Sequence, residues 1–340
     1  MKYFFYVLLS LFLVGCVSKN VEPLSQVEEI IIENPVDSGF IASDFLEFDE
    51  IWAYLNDGQE NLYHENTVVT DIGYFGAGLN TFGKLVGIPN PEKIRHLGKR
   101  IHLVVADNGR ALTHFCISSE FTVRDKLIES IVKASEKFDG VQIDFEYVSK
   151  EDREDYISFL KDLRSKLPNK IFSVAIPARM RKLENDIHDY QIIAPIVDKM
   201  LIMAYDEHWS TSKPGPIASI DWCKRIAMYA QNVIPEEKLI MGCPFYARAW
   251  ANTNPARAYR FSTLCNVANE EKIDLNNVLY IDEIPTFIYE KKVNVTVFFE
   301  NAKSNYYRLK MYKDLGITNV GFWCLGQEDV AVWNFLKVSL

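Results

Sequence analysis

The length, composition and charge of the chain set the first limits on its class. It has 340 residues, of which 48% are hydrophobic and 24% are charged, and its formal net charge is −9. This composition excludes a predominantly disordered chain and suffices for one large core or two small ones. No basic patch with interleaved aromatic residues occurs, so we expect no nucleic-acid partner, and the acidic balance favours a neutral or cationic substrate over a polyphosphate.

The first sixteen residues predict export and lipidation. Lys2 precedes an apolar run, residues 3–14, which is too short to span a bilayer comfortably as a mature helix and therefore indicates a signal peptide. The run ends in Leu13-Val14-Gly15-Cys16, which resembles the lipobox of bacterial lipoproteins. The resemblance implies that Cys16 is lipidated, becomes the mature N-terminus and anchors an exported protein to a membrane of the cell envelope. The alternative is an ordinary signal peptide with an incidental cysteine.

An acidic segment follows the signal peptide. Residues 17–44 contain six acidic residues and one basic residue, Lys19, and they lack a sustained apolar period apart from residues 30–32. We therefore expect residues 17–47 to form a solvated acidic tether and residues 48–340 to form the folded domain.

The cysteines that remain predict neither a metal site nor a disulfide. Five thiols cannot all pair with one another, and no CxxC spacing suggests zinc. Cys243 and Cys324 lie in apolar, strand-like runs, where a free cysteine commonly acts as a small buried hydrophobic residue. We expect no metal and no cofactor, and a monomer.

From about residue 48 onward, short β-rich runs alternate with helical patterns, which is typical of βα units around a parallel sheet. Eight strands are predicted, so we expect an α/β protein with a closed (β/α)8 TIM barrel, a doubly wound open sheet being the alternative. The predicted strands are residues 50–55, 68–75, 100–106, 140–146, 171–176, 199–205, 239–246 and 319–325.

The connection between the seventh and eighth predicted strands is too long for a single crossover helix. We expect residues from about 250 to 298 to form a small β-rich insertion after the seventh strand. An insertion at the mouth of the barrel would supply one wall of a cleft.

The fourth predicted strand carries an unusual set of polar residues. Side chains alternate along a strand, so Gln142, Asp144 and Glu146 share the face opposite the apolar residues. An antiparallel strand with a wet face would show the same pattern. In a barrel, however, this face points into the interior, where an unpaired charge is costly, so the pair of carboxylates predicts a functional site.

This strand also carries the strongest family resemblance in the chain. Residues 139–146, Asp-Gly-Val-Gln-Ile-Asp-Phe-Glu, resemble the DGxDxDxE motif of glycoside hydrolase family 18. Residues 203–206 (MAYD) and 242–248 (GCPFYAR) resemble the strand-six and strand-seven motifs of the family, and Trp323 its strand-eight tryptophan. The similarity extends over about residues 48–340.

The resemblance implies a retaining hydrolysis without an enzyme nucleophile. Glu146 would protonate the glycosidic oxygen and later act as a base, while the 2-acetamido oxygen of the substrate attacks the anomeric carbon. Asp144, one layer deeper in the barrel, would hold the acetamide N–H and stabilise the developing positive charge. Tyr205 would donate a hydrogen bond to the acetamido oxygen.

The same resemblance implies a set of substrate-binding residues. Asp206 would hold sugar hydroxyl groups, and Trp323 would form the floor beneath the reacting sugar. Tyr246 and Arg248 would contact the substrate or brace the site. Trp209 is a further candidate, although an aromatic residue near a strand end commonly belongs to the core.

Gln142 departs from the commonest motif of the family, which has aspartate at this position. A neutral residue is familiar in the branch that contains spore-germination and cortex-lytic N-acetylglucosaminidases, and the loop at residues 205–219 is similar to that branch. We expect Gln142 to offer an amide N–H to Asp144 without adding a charge.

The sequence therefore predicts a glycoside hydrolase that cleaves β-1,4 bonds next to N-acetylglucosamine, in peptidoglycan. A chitinase is the nearest alternative. A non-catalytic glycan-binding lipoprotein on the same fold is the second alternative, and the presence of Asp144, Glu146 and Tyr205 argues against it.

Overall fold

The structure, a computed structural model, describes residues 36–107, 109–251, 254–290 and 294–339. Its strands, in chain order, are β1 Leu46–Phe48, β2 Glu50–Asn56, β3 Asp71–Leu79, β4 Leu85–Val86, β5 Arg100–Ala106, β6 Gly140–Asp144, β7 Ile171–Pro177, β8 Lys199–Met203, β9 Leu239–Pro244, β10 Ala247–Ala251, β11 Asn254–Tyr259, β12 Leu279–Ile281, β13 Ile284–Glu290, β14 Asn294–Phe298, β15 Asn319–Trp323 and β16 Leu336–Val338. Its α-helices are α1 Arg110–Ile117, α2 Val123–Ser135, α3 Arg153–Lys166, α4 Tyr190–Ile193, α5 Ile220–Gln231, α6 Phe261–Glu270 and α7 Ala302–Asp314.

Eight parallel strands form a closed barrel. Around the ring the order is β2, β3, β5, β6, β7, β8, β9 and β15, and β15 pairs with β2 to complete it. Each of the eight predicted strands overlaps one of these. The closed ring confirms the predicted (β/α)8 barrel and excludes the doubly wound open sheet.

The alternation along β6 separates two environments. Val141, Ile143 and Phe145 are fully buried in the core between the barrel and its helices, where the Phe145 ring stacks on Phe159 of α3 at 5.8 Å. Gln142, which is also fully buried, lies on the other face, inside the barrel. The apolar face of this strand therefore fixes which residues point into the interior.

The predicted insertion is a five-stranded antiparallel sheet with one helix, α6. Its strands lie in the order β11, β10, β14, β13 and β12, all within the chain between β9 and α7. The sheet begins at Ala247, three residues before the predicted boundary. The backbone N–H of Ala256 donates to the carbonyl of Ser210 at 2.7 Å, so β11 is tied to the loop that follows β8.

The segment before the first barrel strand packs against the end of the chain. The Ser38 N–H donates to Asp329 at 2.9 Å, and β1 forms a parallel pair with β16. The predicted tether therefore does not extend to residue 47, because the chain from residue 36 onward is held on the barrel by these contacts. The predicted signal peptide, Cys16 and the rest of the tether lie outside the described residues. Within the described ranges, no helix is long and apolar enough to cross a membrane.

Candidate active site

A cavity of about 620 Å³ lies at the C-terminal ends of the barrel strands. This is the end of the barrel at which (β/α)8 enzymes carry their active sites. Seven of the residues predicted from the sequence line the cavity together: Asp144, Glu146, Tyr205, Asp206, Tyr246, Arg248 and Trp323. They come from the ends of four barrel strands and from the start of the insertion.

Two acidic residues from the end of β6 differ in their surroundings. Asp144 is the last residue of the strand and is 7% exposed, and its Oδ1 has no hydrogen-bond partner among the described residues. Glu146 lies in the turn that follows and is exposed to the cavity. The strand therefore presents one carboxyl group at the bottom of the cavity and one at its opening.

The surroundings raise the pKa of both carboxyl groups. Burial, followed by the charges of Glu146 and Asp107, raises the pKa of Asp144 to about 8. Burial, followed by the charges of Asp107 and Asp206, raises the pKa of Glu146. A raised pKa lets a carboxyl group hold its proton to higher pH, as a general acid requires.

Asp206 is fixed by two partners from the chain that leads into the insertion. The Tyr246 hydroxyl and the Arg248 guanidinium both donate to its Oδ1 at 2.5 Å. Asp206 has a φ of 59°, a left-handed conformation that is uncommon for residues other than glycine. Tyr246 and Arg248 thus hold one orientation of Asp206 at the cavity wall.

Aromatic rings form another part of the cavity lining. The Trp323 ring lies 5.1 Å from that of Tyr54 and 5.3 Å, edge on, from that of Phe75. The Trp323–Cys324 peptide bond is cis. Flat rings beside polar groups suit the apolar faces and the hydroxyl groups of a sugar.

Two predicted site residues lie outside this lining. The Tyr54 hydroxyl donates to Gln142 Oε1 at 2.5 Å, and Gln142 Nε2 donates to Ser173 Oγ at 3.2 Å. The predicted hydrogen bond from Gln142 to Asp144 is therefore wrong, because the side-chain amide of Gln142 is hydrogen-bonded to Tyr54 and Ser173 instead. Gln142 is also fully buried, so it cannot contact a substrate. Trp209 is 54% exposed on the loop after β8 and donates to Thr211 Oγ1.

Several residues around the cavity were not singled out by the sequence. Tyr54 and Trp222, from β2 and α5, line it. Asp107 directly follows β5, and Glu146 was found as an acidic residue at the C-terminal end of a predicted strand, so a similar signal could have identified Asp107. No local pattern points to His188, which contacts the β6 turn from the loop before α4.

No group of three or more His, Cys, Asp or Glu side chains within the described parts of the chain is placed to hold a metal ion.

A closed (β/α)8 barrel with two carboxyl groups of raised pKa beside an aromatic wall defines a class of carbohydrate-active barrel enzymes. The family is given by a sequence comparison: the model for "Glycosyl hydrolases family 18" matches residues 100–328, which is more than half of the chain. The chain belongs to this family, and the protein is a glycoside hydrolase.

Its relatives include enzymes of two kinds. The "Cortical fragment-lytic enzyme" of Bacillus anthracis is 27% identical over 294 residues, which cover 80% of this chain and 68% of that protein. The spore cortex-lytic enzyme SleL of Bacillus cereus superposes with a TM-score of 0.78 at 24% identity, covering 88% of this chain and 77% of that one. A chitinase of Chromobacterium violaceum superposes with a TM-score of 0.75 at 22% identity, covering 84% and 97%. At these identities the two superpositions establish the shared fold.

Proposed function

We propose that the protein cleaves β-1,4 bonds next to N-acetylglucosamine in peptidoglycan, by a retaining reaction in which the substrate supplies the nucleophile. The observation that carries this proposal is the arrangement of Asp144 and Glu146, one buried at the bottom of the cavity and one exposed at its opening. Asp144 is the last residue of β6, and Glu146 follows two residues later, beyond the strand and nearer the opening, so the two carboxyl groups would meet different atoms of one sugar.

The reaction divides into two steps. In the first, Glu146 gives its proton to the glycosidic oxygen as the bond from that oxygen to the anomeric carbon breaks, and the acetamido oxygen bonds to this carbon to form an oxazolinium ion. In the second, Glu146 takes a proton from water as the water attacks the anomeric carbon. The bond from this carbon to the acetamido oxygen breaks, which opens the oxazolinium ring.

Asp144 and Tyr205 would stabilise the oxazolinium ion. The positive charge on the ring favours the ionised form of Asp144, so this carboxyl group, whose pKa is about 8, would transfer or share its proton as the charge develops. Tyr205, which lines the same cavity, would donate its hydroxyl to the acetamido oxygen. Asp206, held by Tyr246 and Arg248, would bind hydroxyl groups of the sugar, and Trp323 would stack beneath it.

Peptidoglycan is preferred as the substrate because of the relatives named for spore-cortex lysis, which align with most of this chain. A chitinase is the second candidate, on the resemblance of the strand motifs to the family. A non-catalytic glycan-binding protein is disfavoured, since the acid and its supporting residues are present.

The proposal includes the location of the enzyme. Cys16, at the end of the apolar N-terminal run, would carry the lipid that anchors an exported protein in the cell envelope. Anchoring would keep the catalyst near the wall.

The test compares peptidoglycan, chitin oligosaccharides and N-glycans incubated in parallel with the wild-type protein and with Glu146→Gln, and it identifies new reducing ends by mass spectrometry. We expect new N-acetylated reducing ends from peptidoglycan and a loss of roughly 100- to 10,000-fold in the variant. Wild-type rates in a folded Glu146→Gln protein would exclude this acid. Equal rates on a de-N-acetylated glycan would exclude attack by the acetamido group, and cleavage of chitin oligosaccharides alone would favour the chitinase.

A further inference from the structure

The peptide group that joins Phe145 to Glu146 is held at both of its ends. Its carbonyl oxygen accepts a hydrogen bond from His188 Nε2 at 3.0 Å. Because a carbonyl oxygen can only accept, Nε2 of His188 must carry the proton. The N–H of the same peptide group, that of Glu146, donates to Asp107 Oδ1 at 3.2 Å. The next backbone N–H, that of Tyr147, donates to Asp107 Oδ2 at 2.8 Å.

The two side chains that make these contacts are themselves buried and braced. Asp107 is 8% exposed and accepts a further hydrogen bond from the Thr113 hydroxyl at 3.0 Å. His188 is 3% exposed, and its ring packs edge on against Tyr156 of α3 at 5.7 Å. The backbone N–H of His188 donates to the side chain of Asp186. Both contacts therefore come from rigid surroundings.

We propose that Asp107 and His188 are positioning residues that clamp the Phe145–Glu146 peptide and thereby aim the Glu146 carboxyl group at the glycosidic oxygen. This inference rests on the acid role proposed for Glu146. Glu146 lies beyond the end of β6, where no strand pairing fixes its backbone. The side chains of Asp107 and His188 therefore replace the missing hydrogen bonds of the sheet. A displacement of about 1 Å can cost on the order of 100-fold in rate, which is the scale of effect available to such a clamp.

Asp107 has a second effect through its charge. The pKa of Glu146 is raised by burial first and then by the charges of Asp107 and Asp206. The other titratable groups that face it are Asp144, Tyr54 and Tyr205. Replacing Asp107 by asparagine removes one negative charge, which lowers the pKa of Glu146, so the basic limb of the kcat/KM profile should move to lower pH.

The test uses the full-length protein and an aryl glycoside of N,N′-diacetylchitobiose. We expect Asp107→Asn and His188→Leu to lower kcat by about 10- to 100-fold with KM changed by no more than about threefold. His188→Gln, which keeps a donor at the place of Nε2, should retain kcat within about fivefold. The basic limb should fall by about 0.5–1 pH unit in Asp107→Asn and stay in place in both His188 variants.

Hydrogen–deuterium exchange gives a readout that does not need turnover. The amides of Glu146 and Tyr147 should exchange faster in Asp107→Asn than in wild type, whereas a matched surface variant, Asp314→Asn on α7, should change neither exchange nor the pH profile.

The proposal is overturned if His188→Gln and His188→Leu lose activity equally, or if Asp107→Asn leaves both the basic limb and the two amides as in wild type. Either result with an inactive Glu146→Gln protein would refute the clamp and leave the acid in place. An active Glu146→Gln protein would instead refute the proposed function on which the clamp rests.

Discussion

Gly140, at the start of the β6 motif, is required for packing inside the barrel. A Cβ atom at this position would lie 2.2 Å from Nδ1 of His102 and 2.6 Å from the carbonyl oxygen of Ile171. His102 cannot retreat, because its Nε2 lies 2.7 Å from Asp71 Oδ1 and its ring packs on Trp52 at 4.2 Å. The first half of the motif therefore builds the barrel, and the second half carries the carboxyl groups.

We expect Gly140→Ala to destabilise the fold by about 1–3 kcal/mol or more, since overpacking a rigid interior forces neighbours to move. Gly39→Ala is the matched control, because open space surrounds that glycine and only its left-handed φ of 70° adds a cost. Urea unfolding of both variants measures the difference. Equal destabilisation would show that the contact with His102 is relieved without cost.

The raised pKa of Asp144 predicts a pH-dependent cost in stability. Its pKa is about 8 in the folded protein, against 3.8 for the unperturbed group. Between about pH 4 and pH 8 the folded state keeps a proton that the unfolded chain releases, so this group makes the protein less stable as pH rises through that window. Asp144→Asn removes the titration.

We therefore expect the free energy of unfolding of Asp144→Asn, relative to wild type, to rise by more than about 1.4 kcal/mol from pH 5 to pH 8. Urea unfolding across this range measures it, with Asp314→Asn as the control that should show no trend. A difference independent of pH would mean that Asp144 titrates normally and would remove the electrostatic basis of its proposed role.

Whole elements were the most predictable part of this protein. Apolar runs bounded by turns gave all eight barrel strands, and the spacing between β9 and β15 gave the insertion. Local pattern could not give the partners of Gln142, because Tyr54 reaches it across the barrel interior and Ser173 lies opposite it on β7. For the same reason no local pattern indicated His188, whose contact with Phe145 spans 43 residues.

A buried ion pair fixes helix α7 to the segment that leads into it. Arg308 on the helix donates to Glu300 Oε1 and to the carbonyl of Ala218, both at 2.7 Å, and neither charged residue reaches solvent appreciably. The helix begins with a capping box made by Asn301 and Ser304. Its N-terminal turn and its inner face are thus fixed by polar contacts within an apolar core.

We expect Glu300→Gln to lower the free energy of unfolding by about 3–5 kcal/mol, because it leaves the Arg308 charge buried without a counter-charge. Neutralising the exposed Lys310–Asp314 pair on the same helix, by Asp314→Asn, should cost only about 0–1 kcal/mol. Chemical denaturation of the two variants compares them directly. A loss for Glu300→Gln no larger than for the surface variant would contradict this account.

At the scale of the whole molecule, the proposed anchor makes a prediction about location. Cys16 is the candidate acylation site at the end of the predicted signal sequence, so Cys16→Ser should move the protein from the membrane fraction to the soluble or precursor pool. Metabolic labelling with a fatty acid and fractionation measure this, with Cys265→Ser as the matched control because Cys265 is a free thiol within the insertion. Label incorporated into the Cys16→Ser protein would refute the assignment.

The pairing of β15 with both β2 and β9 has a consequence for biosynthesis. About 260 residues separate the end of β2 from the start of β15, and at roughly 5–20 residues per second the ribosome needs on the order of 15–50 s to make them. During that interval the nascent chain holds strands with unpaired edges that neighbouring copies could join. Barrel closure must therefore follow synthesis of almost the entire chain. The yield of active enzyme should depend on how well the nascent chain is prevented from associating with other copies of itself.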